Sequence, residues 1–437
     1  MRDLVLMAIL YGAVPFILFR PVVGIWFWVL VSVMAPHRLG WGSAFDQPFG
    51  LVFAMATVMG MLFSKEPKRL PMTPFTLIVL LMVVWLVITT AFAFDTLGSM
   101  PFLERFLKLQ FMLFVTMYLL HTRQHVHTLI WILTASVAFY GVKGGLFTLM
   151  GGGIDRVFGP TGSYIEENNT LALALIMAIP LLRYLHLQST NPKLRWGLVA
   201  SMVLCGFSVL GSQSRGAFIA GAAMLAMFWL KGKNKLSVGL LLLVLVPLAI
   251  GFMPDQYGKR METIETYDRD ASAQGRINAW MMAWNLAKDR PLVGGGFDIY
   301  NYSIFARYAP DPTDVHAAHS IYFTMLGEHG FVGLALFLLL WFVVWRDASW
   351  IIRKVKDREE LKWASDLASM VQVSLAGYAV GGAFLSLAYF DVPYNLAVAL
   401  VLTRILIAKE IARESPSRGP RGEWTSTRRL DPAAGMR

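Results

Sequence analysis

Charge is scarce in this sequence. Asp, Glu, Lys and Arg supply 15% of its 437 residues against 56% for the apolar set, and mean hydropathy is +0.54. That balance excludes a soluble domain, in which about a quarter of the residues are charged. Cysteine is nearly absent. The single Cys205 sits inside an apolar run, so there is no disulfide framework, and it reads as a small buried core residue. Gly294-Gly295-Gly296 lacks the Lys-Ser/Thr that completes a nucleotide phosphate loop and reads instead as a turn. No internal repeat of the kind that builds transporters is visible.

Long apolar runs are abundant. They fall at about 4–19, 21–35, 48–63, 73–93, 106–120, 128–150, 169–187, 196–212, 215–230, 236–253, 320–345, 365–388 and 392–408. Each is near the length a helix needs to cross a hydrocarbon core of about 30 Å, and lipid cannot satisfy a bare backbone, so helices are required. The first two runs meet at Arg20-Pro21, which allows two spans, a re-entrant pair or one broken helix. The expected fold is therefore an all-α polytopic membrane protein of about 12–13 transmembrane helices. Residues 1–408 would form one transmembrane domain, and the N-terminus reads as a membrane segment rather than a removed signal.

Basic short loops remain in the cytoplasm. Lys65, Lys68 and Arg69, then Lys231, Lys233 and Lys235, then Arg346, Arg353, Lys354, Lys356, Arg358 and Lys362 all fall on one face, which is expected to be cytoplasmic. The basic tail 409–437, rich in Pro, Gly and Ser, falls there too and reads as a disordered segment drawn to anionic headgroups. Topology thus accounts for much of the +11 net charge without a nucleic-acid partner. The other face receives 36–47, 94–105, 151–168, 212–215 and a long loop, 254–318. That loop is too aromatic to be disordered and is expected to pack over the outer mouth. Within it, Ile277, Trp280, Met281, Trp284 and Ala287 share a helical stripe suited to a helix lying in the headgroup layer, with Arg276 near its start.

Several polar residues gather on this second face. Arg215 follows Ser212 and Ser214, either of which can cap the next helix, and a guanidinium beside a helix N-terminus makes an anion site; a snorkelling interfacial arginine is the alternative. Arg276 suits an anion in the same way, or a lipid phosphate. His319 and Ser320 open a span, where the helix dipole keeps an imidazole neutral and able to accept a proton; a structural histidine is the plainer role. Asn168 and Asn169 suit capping, or hydrogen bonds to a sugar or phosphate. Glu328 lies inside the span and needs a protein partner. At about 100° per residue it stands half a turn from His319, so the two are not expected to form a dyad. Asp268-Arg269-Asp270 has the spacing of a metal-binding carboxylate pair without a supporting His or Glu, and His121, His125 and His127 read as solvated loop residues; no metal site is expected from either.

Two guanidiniums suit a diphosphate, and a neutral histidine suits removal of a proton from an attacking hydroxyl. The stretches Ser214-Arg215-Gly216, Gly275-Arg276 through Trp280 with Pro291 and Gly294 to Gly296, and His319-Ser320 with Glu328, Gly330 and Gly333 resemble the O-antigen ligase and polymerase superfamily. The resemblance covers most of the chain and is nearest to the O-glycosylation ligases associated with exosortase A systems. It implies a metal-independent, inverting glycosyltransferase without a cofactor, in the bacterial inner membrane with its active site facing the periplasm and its C-terminus cytoplasmic. The donor would be an undecaprenyl-diphosphate-linked glycan and the acceptor a lipid or protein hydroxyl. By the same resemblance Arg215 and Arg276 bind the diphosphate, His319 lies near the acceptor, and Asn169 and Ser320 join the substrate site. The surrounding Glu166-Glu167-Asn168-Asn169 departs from the Pro-Asn pair usual in the family. A polysaccharide polymerase would use the same residues, whereas a non-enzymatic polysaccharide or lipid transporter would place ionisable groups at mid-membrane.

Overall fold

The computed structural model describes residues 2–40, 42–232 and 271–414, with positions 235, 236, 239, 243, 247 and 251. The expected span at 236–253 lies almost wholly outside the described residues. Lys233, the loop up to residue 270 with Asp268-Arg269-Asp270, and the tail beyond Glu414 lie outside them entirely.

The described chain is all-α and polytopic. Its helices are α1 (Arg2–Gly12), α2 (Val14–Phe19), α3 (Pro21–Met34), α4 (Phe49–Phe63), α5 (Pro74–Ala91), α6 (Thr96–Leu119), α7 (Arg123–Met150), α8 (Asn168–Gln188), α9 (Pro192–Gly211) and α10 (Arg215–Lys231). After the gap come α11 (Ala271–Asp289), α12 (Tyr302–Tyr308), α13 (Ile321–Lys354), α14 (Lys362–Gly382) and α15 (Asp391–Glu414). Six helices among the described residues are long and apolar enough to cross a membrane, and α3 and α4 are shorter apolar helices. Starts are set locally. Proline occupies the first turn of α3, α5 and α9, where its missing N–H costs nothing, and Thr73, Asp95, Thr122, Asn191 and Ser214 cap exposed N–H groups.

The chain reverses at Arg20. Arg2 donates to the Leu39 carbonyl and Asp3 lies against Gly40, so the start of α1 and the end of α3 share one end of the bundle. The first two runs are thus the two arms of a hairpin.

Polar contacts sort the rest into two ends. At one, Gln213 reaches the Gly153 and Ile154 carbonyls, Ser99 bonds the Phe297 carbonyl, Arg290 bonds the Phe92 carbonyl, and Tyr322 bonds the Ala379 carbonyl. At the other, His121 meets the Pro67 carbonyl, Gln188 meets Asp366, Arg358 meets Glu414, and Lys231 meets Gln372. The described basic loops share this second end. Segment 94–105, read from sequence as a loop, is largely helical, because α6 begins at Thr96 and carries Pro101 within it.

Most buried apolar side chains form one core among the spans, and residues 279–318 add a small second one built on Ala279, Met282, Leu286, Ile304 and Phe305. The residues of the expected interfacial stripe on α11 differ in exposure. Met281 and Trp284 remain about half exposed (49% and 46%), while Ala279, Met282, Ala283 and Leu286 are fully buried with Ala287. The reason is the neighbour: α11 lies against α13 and the 299–318 segment, and Ala279, Met282 and Leu286 pack into the cluster between them. Asn278 and Asn285 bind carbonyls of Tyr308, Asp311 and Asp314, which fixes the segment along the helix.

Helix α13 is broken at Gly330, whose φ of 70° and ψ of −173° leave the helical region. Phe331 N–H donates to the Pro291 carbonyl (2.8 Å), while Gly295 and Gly296 N–H donate to the Gly327 and Glu328 carbonyls (both 2.9 Å). The triglycine turn thus satisfies the groups released by the break. A Cβ at Gly294 would sit 2.5 Å from the Gly327 oxygen, so only glycine permits this approach.

Candidate functional site

The site grows from four chain segments at the loop end. Ser214 adopts extended geometry and its hydroxyl accepts Ala217 N–H (3.1 Å), which makes Arg215 the first helical residue of α10. Ser212 instead bonds back to the Val209 carbonyl (2.6 Å), so Ser214 is the cap. The turn is tied down from α8: Asn168 donates from Nδ2 to the Ser212 carbonyl (2.7 Å). Asn168 is buried, and neither it nor Asn169 is the cap, a position taken by Glu167 without a side-chain bond. Asn169 is half-buried and its side chain makes no hydrogen bond to a described residue.

On the facing side, Trp280 of α11 donates to the Ala318 carbonyl (2.7 Å) and stacks on Phe323 (centroids 5.1 Å, planes 7° apart). Arg276 lies one turn before Trp280. Gly275 passes so close to the His316 ring that a Cβ would meet Nδ1 at 2.6 Å. These contacts bring Arg276 up to His319.

His319 itself has φ of 44°, a left-handed conformation that costs a non-glycine residue about 1–3 kcal/mol. It is half-buried, and its ring makes no hydrogen bond to a described residue. Burial holds its pKa below the ordinary value, Arg276 and then His316 add to the lowering, and Glu167 opposes them. The imidazole is therefore neutral at neutral pH and able to accept a proton. Ser320 is buried, its carbonyl accepting Thr324 N–H.

Arg276 and Glu167 thus both act on His319, and the turn that carries Arg215 is tied through Asn168 to the start of α8 that carries Glu167. Glu167 was missed in the sequence reading, as was the separate role of Asn168. Both stand in a run of four polar residues before a span, where capping explains them too readily; only the fold brings the Glu167 charge near enough to act on the histidine.

Other polar candidates lie apart. Glu328 accepts the Tyr389 hydroxyl (2.6 Å) and Asp298 N–H (3.3 Å), so it is partnered away from His319, as the helical phase requires. His121, His125 and His127 point to different partners, including the Pro67 carbonyl and Tyr184. Cys205 is fully buried against Gly141. No cluster of three or more His, Cys, Asp or Glu suited to a metal ion occurs among the described residues.

A comparison with curated proteins returns no match. Among protein families, residues 1–190 match a family of unknown function (DUF5935), and residues 170–338 match the family described as O-Antigen ligase. The second match contains Arg215, Arg276, His319 and the broken helix, and begins just after Glu167 and Asn169. Residues 170–338 of this polytopic helical chain are thus similar to the O-antigen ligase family, and that segment carries Arg215, Arg276 and His319.

Proposed function

We propose that the protein is a glycosyltransferase that moves a glycan from undecaprenyl diphosphate to a hydroxyl of a lipid or protein acceptor at the periplasmic face of a bacterial inner membrane. The observation that carries this reading is a neutral, half-buried His319 on which Arg276 and Glu167 both act, with the Arg215 turn tied by Asn168 to the same start of α8. The sharing of one end by the described basic loops supports a cytoplasmic location for that end and a periplasmic one for the site.

In this reaction the acceptor oxygen attacks the anomeric carbon as its proton passes to His319, and the bond from that carbon to the diphosphate breaks. A single displacement of this kind inverts the anomeric centre. The leaving diphosphate gains negative charge, which Arg215 and Arg276 stabilise through paired N–H donors. Glu167 stabilises the imidazolium formed. Because the guanidiniums bear the leaving-group charge, the step requires neither a nucleotide nor a metal.

The test is transfer in membranes from an undecaprenyl-diphosphate-linked oligosaccharide without added nucleotide, with a chelator present. Wild type should form product, whereas folded Arg215→Ala, Arg276→Ala and His319→Ala should not. Unchanged transfer in all three would remove the site. A product lengthened on the lipid carrier itself would identify a polymerase.

A further inference from the structure

A second polar cavity lies outside this site. It is a groove of about 370 Å³ on the flank between α3 and α6, within the roughly 300–1,000 Å³ usual for small-ligand pockets. Its lining includes Trp28 and Ser32 of α3, Glu104, Arg105 and Lys108 of α6, and Tyr164 of the loop before α8. Ser32 is in the last turn of α3, so the groove opens at the loop end of the bundle.

The balance of charge decides what it suits. Lys108 pairs with Glu104 one turn away (2.5 Å). The Arg105 guanidinium lies over the Tyr164 ring, 5.5 Å from its centroid. Asp391, behind the wall, accepts the Ser32 hydroxyl and with Arg105 flanks Tyr164; its other oxygen has no partner among the described residues. Among the lining side chains Glu104 offsets Lys108, which leaves Arg105 against the Tyr164 ring as the one net cation, a weak attraction for a multiply charged anion.

It offers instead alternating hydrogen-bonding groups. Arg105 and Lys108 donate, and Glu104 accepts. Ser32, its proton committed to Asp391, presents lone pairs, and Trp28 and Tyr164 supply aromatic surface. Neutral polyhydroxylated molecules match such a set, because each hydroxyl both donates and accepts. The groove also adjoins the candidate site through a short fixed loop. Gly159 N–H donates to the Glu166 carbonyl (2.9 Å), and Ser163 binds the Pro160 carbonyl (2.7 Å), so Tyr164 and Glu167 belong to one rigid turn.

We propose that this groove is a saccharide subsite, which holds sugar residues of the glycan outside the bond being made. Its assigned role rests on the transfer reading above, but the binding does not. The test uses purified full-length protein in a sugar-free detergent and saturation-transfer NMR with a panel of hexose and N-acetylhexosamine mono- and disaccharides. Sugars should receive saturation from wild type, and Arg105→Gln and Glu104→Gln, both on the exposed face of α6, should weaken binding about tenfold, the effect of losing a charged hydrogen bond. Unaltered melting temperatures would show that the variants are folded. Saturation that is unchanged in both variants, or absent for every sugar, overturns the proposal. So does Arg105-dependent binding of inorganic phosphate or phosphatidylglycerol without binding of sugars. If wild type binds sugars through this groove yet performs no transfer, the transfer reading fails and the subsite stands.

Discussion

Two histidines near the start of one long helix have opposite surroundings. His329 is fully buried and satisfied at both ring nitrogens, by Thr89 (2.8 Å) and the Tyr389 hydroxyl (2.7 Å). Tyr389 donates onward to Glu328, so the network reads as Thr89 to His329 to Tyr389 to Glu328, with the ring proton on Nε2. His319 is half-exposed, strained in its backbone and has charged neighbours from two other helices' ends, Arg276 and Glu167. A buried polar network with every member paired specifies structure. His319, by contrast, keeps hydrogen-bonding capacity beside a guanidinium and a carboxylate, which is what the proposed proton transfer needs.

The largest effect that would sharpen this contrast is on transfer. His319→Ala, Arg215→Ala and Arg276→Ala should each lower the turnover rate at least about 100-fold, the order of magnitude for a removed group that stabilises a transition state, with little change in melting temperature. His329→Ala should do the reverse in kind, lowering the melting temperature first. Rates that fall equally in folded His329 and His319 variants would break the distinction.

Next in size is the hinge that carries both histidines. Gly330→Ala should cost at least about 1–3 kcal/mol, since the residue needs positive φ and a Cβ there would strike the Leu292 carbonyl. Thermal unfolding in detergent measures this, and an unchanged midpoint would mean the break is not needed.

Tyr389→Phe should cost about 1–3 kcal/mol by leaving His329 and Glu328 each short of a partner. Transfer by the folded variant should persist. Loss of transfer without loss of stability would instead bring this network into the reaction.

The smallest effect is on pH dependence. His319 acts neutral, and its pKa lies below 6.5, so activity should decline only as pH falls below that value. Glu167 raises that pKa; Glu167→Gln should therefore move the acid limb of the rate profile to lower pH. A limb that moves upward or stays put would show that the carboxylate does not face the histidine in solution.

Much of this was legible from residue order. Apolar run lengths predict the spans, Ser214 precedes its helix as a cap should, and the phase of Glu328 predicts its separation from His319. Other features were hidden for identifiable reasons. The stripe of Trp280, Met281 and Trp284 marks one apolar face of α11, but the protein-facing side with Ala279, Met282 and Leu286 is set by which elements pack on it. Asn169 and Asn168 are chemically identical, and only the path of the Ser212 turn selects Asn168 as its partner.

The sequence by itself determined an all-α membrane chain, the end at which its polar candidates gather, and which residue types could bind a diphosphate or take a proton. Those are consequences of local hydropathy, charge and capping, which act over a few residues. Only the tertiary structure decided that Glu167 comes near enough to act on His319, that the triglycine turn fills the break at Gly330, and that α3, α6 and a loop enclose a polar groove. Each of these joins segments far apart in the chain, where packing of whole helices, and no local preference, sets the distance.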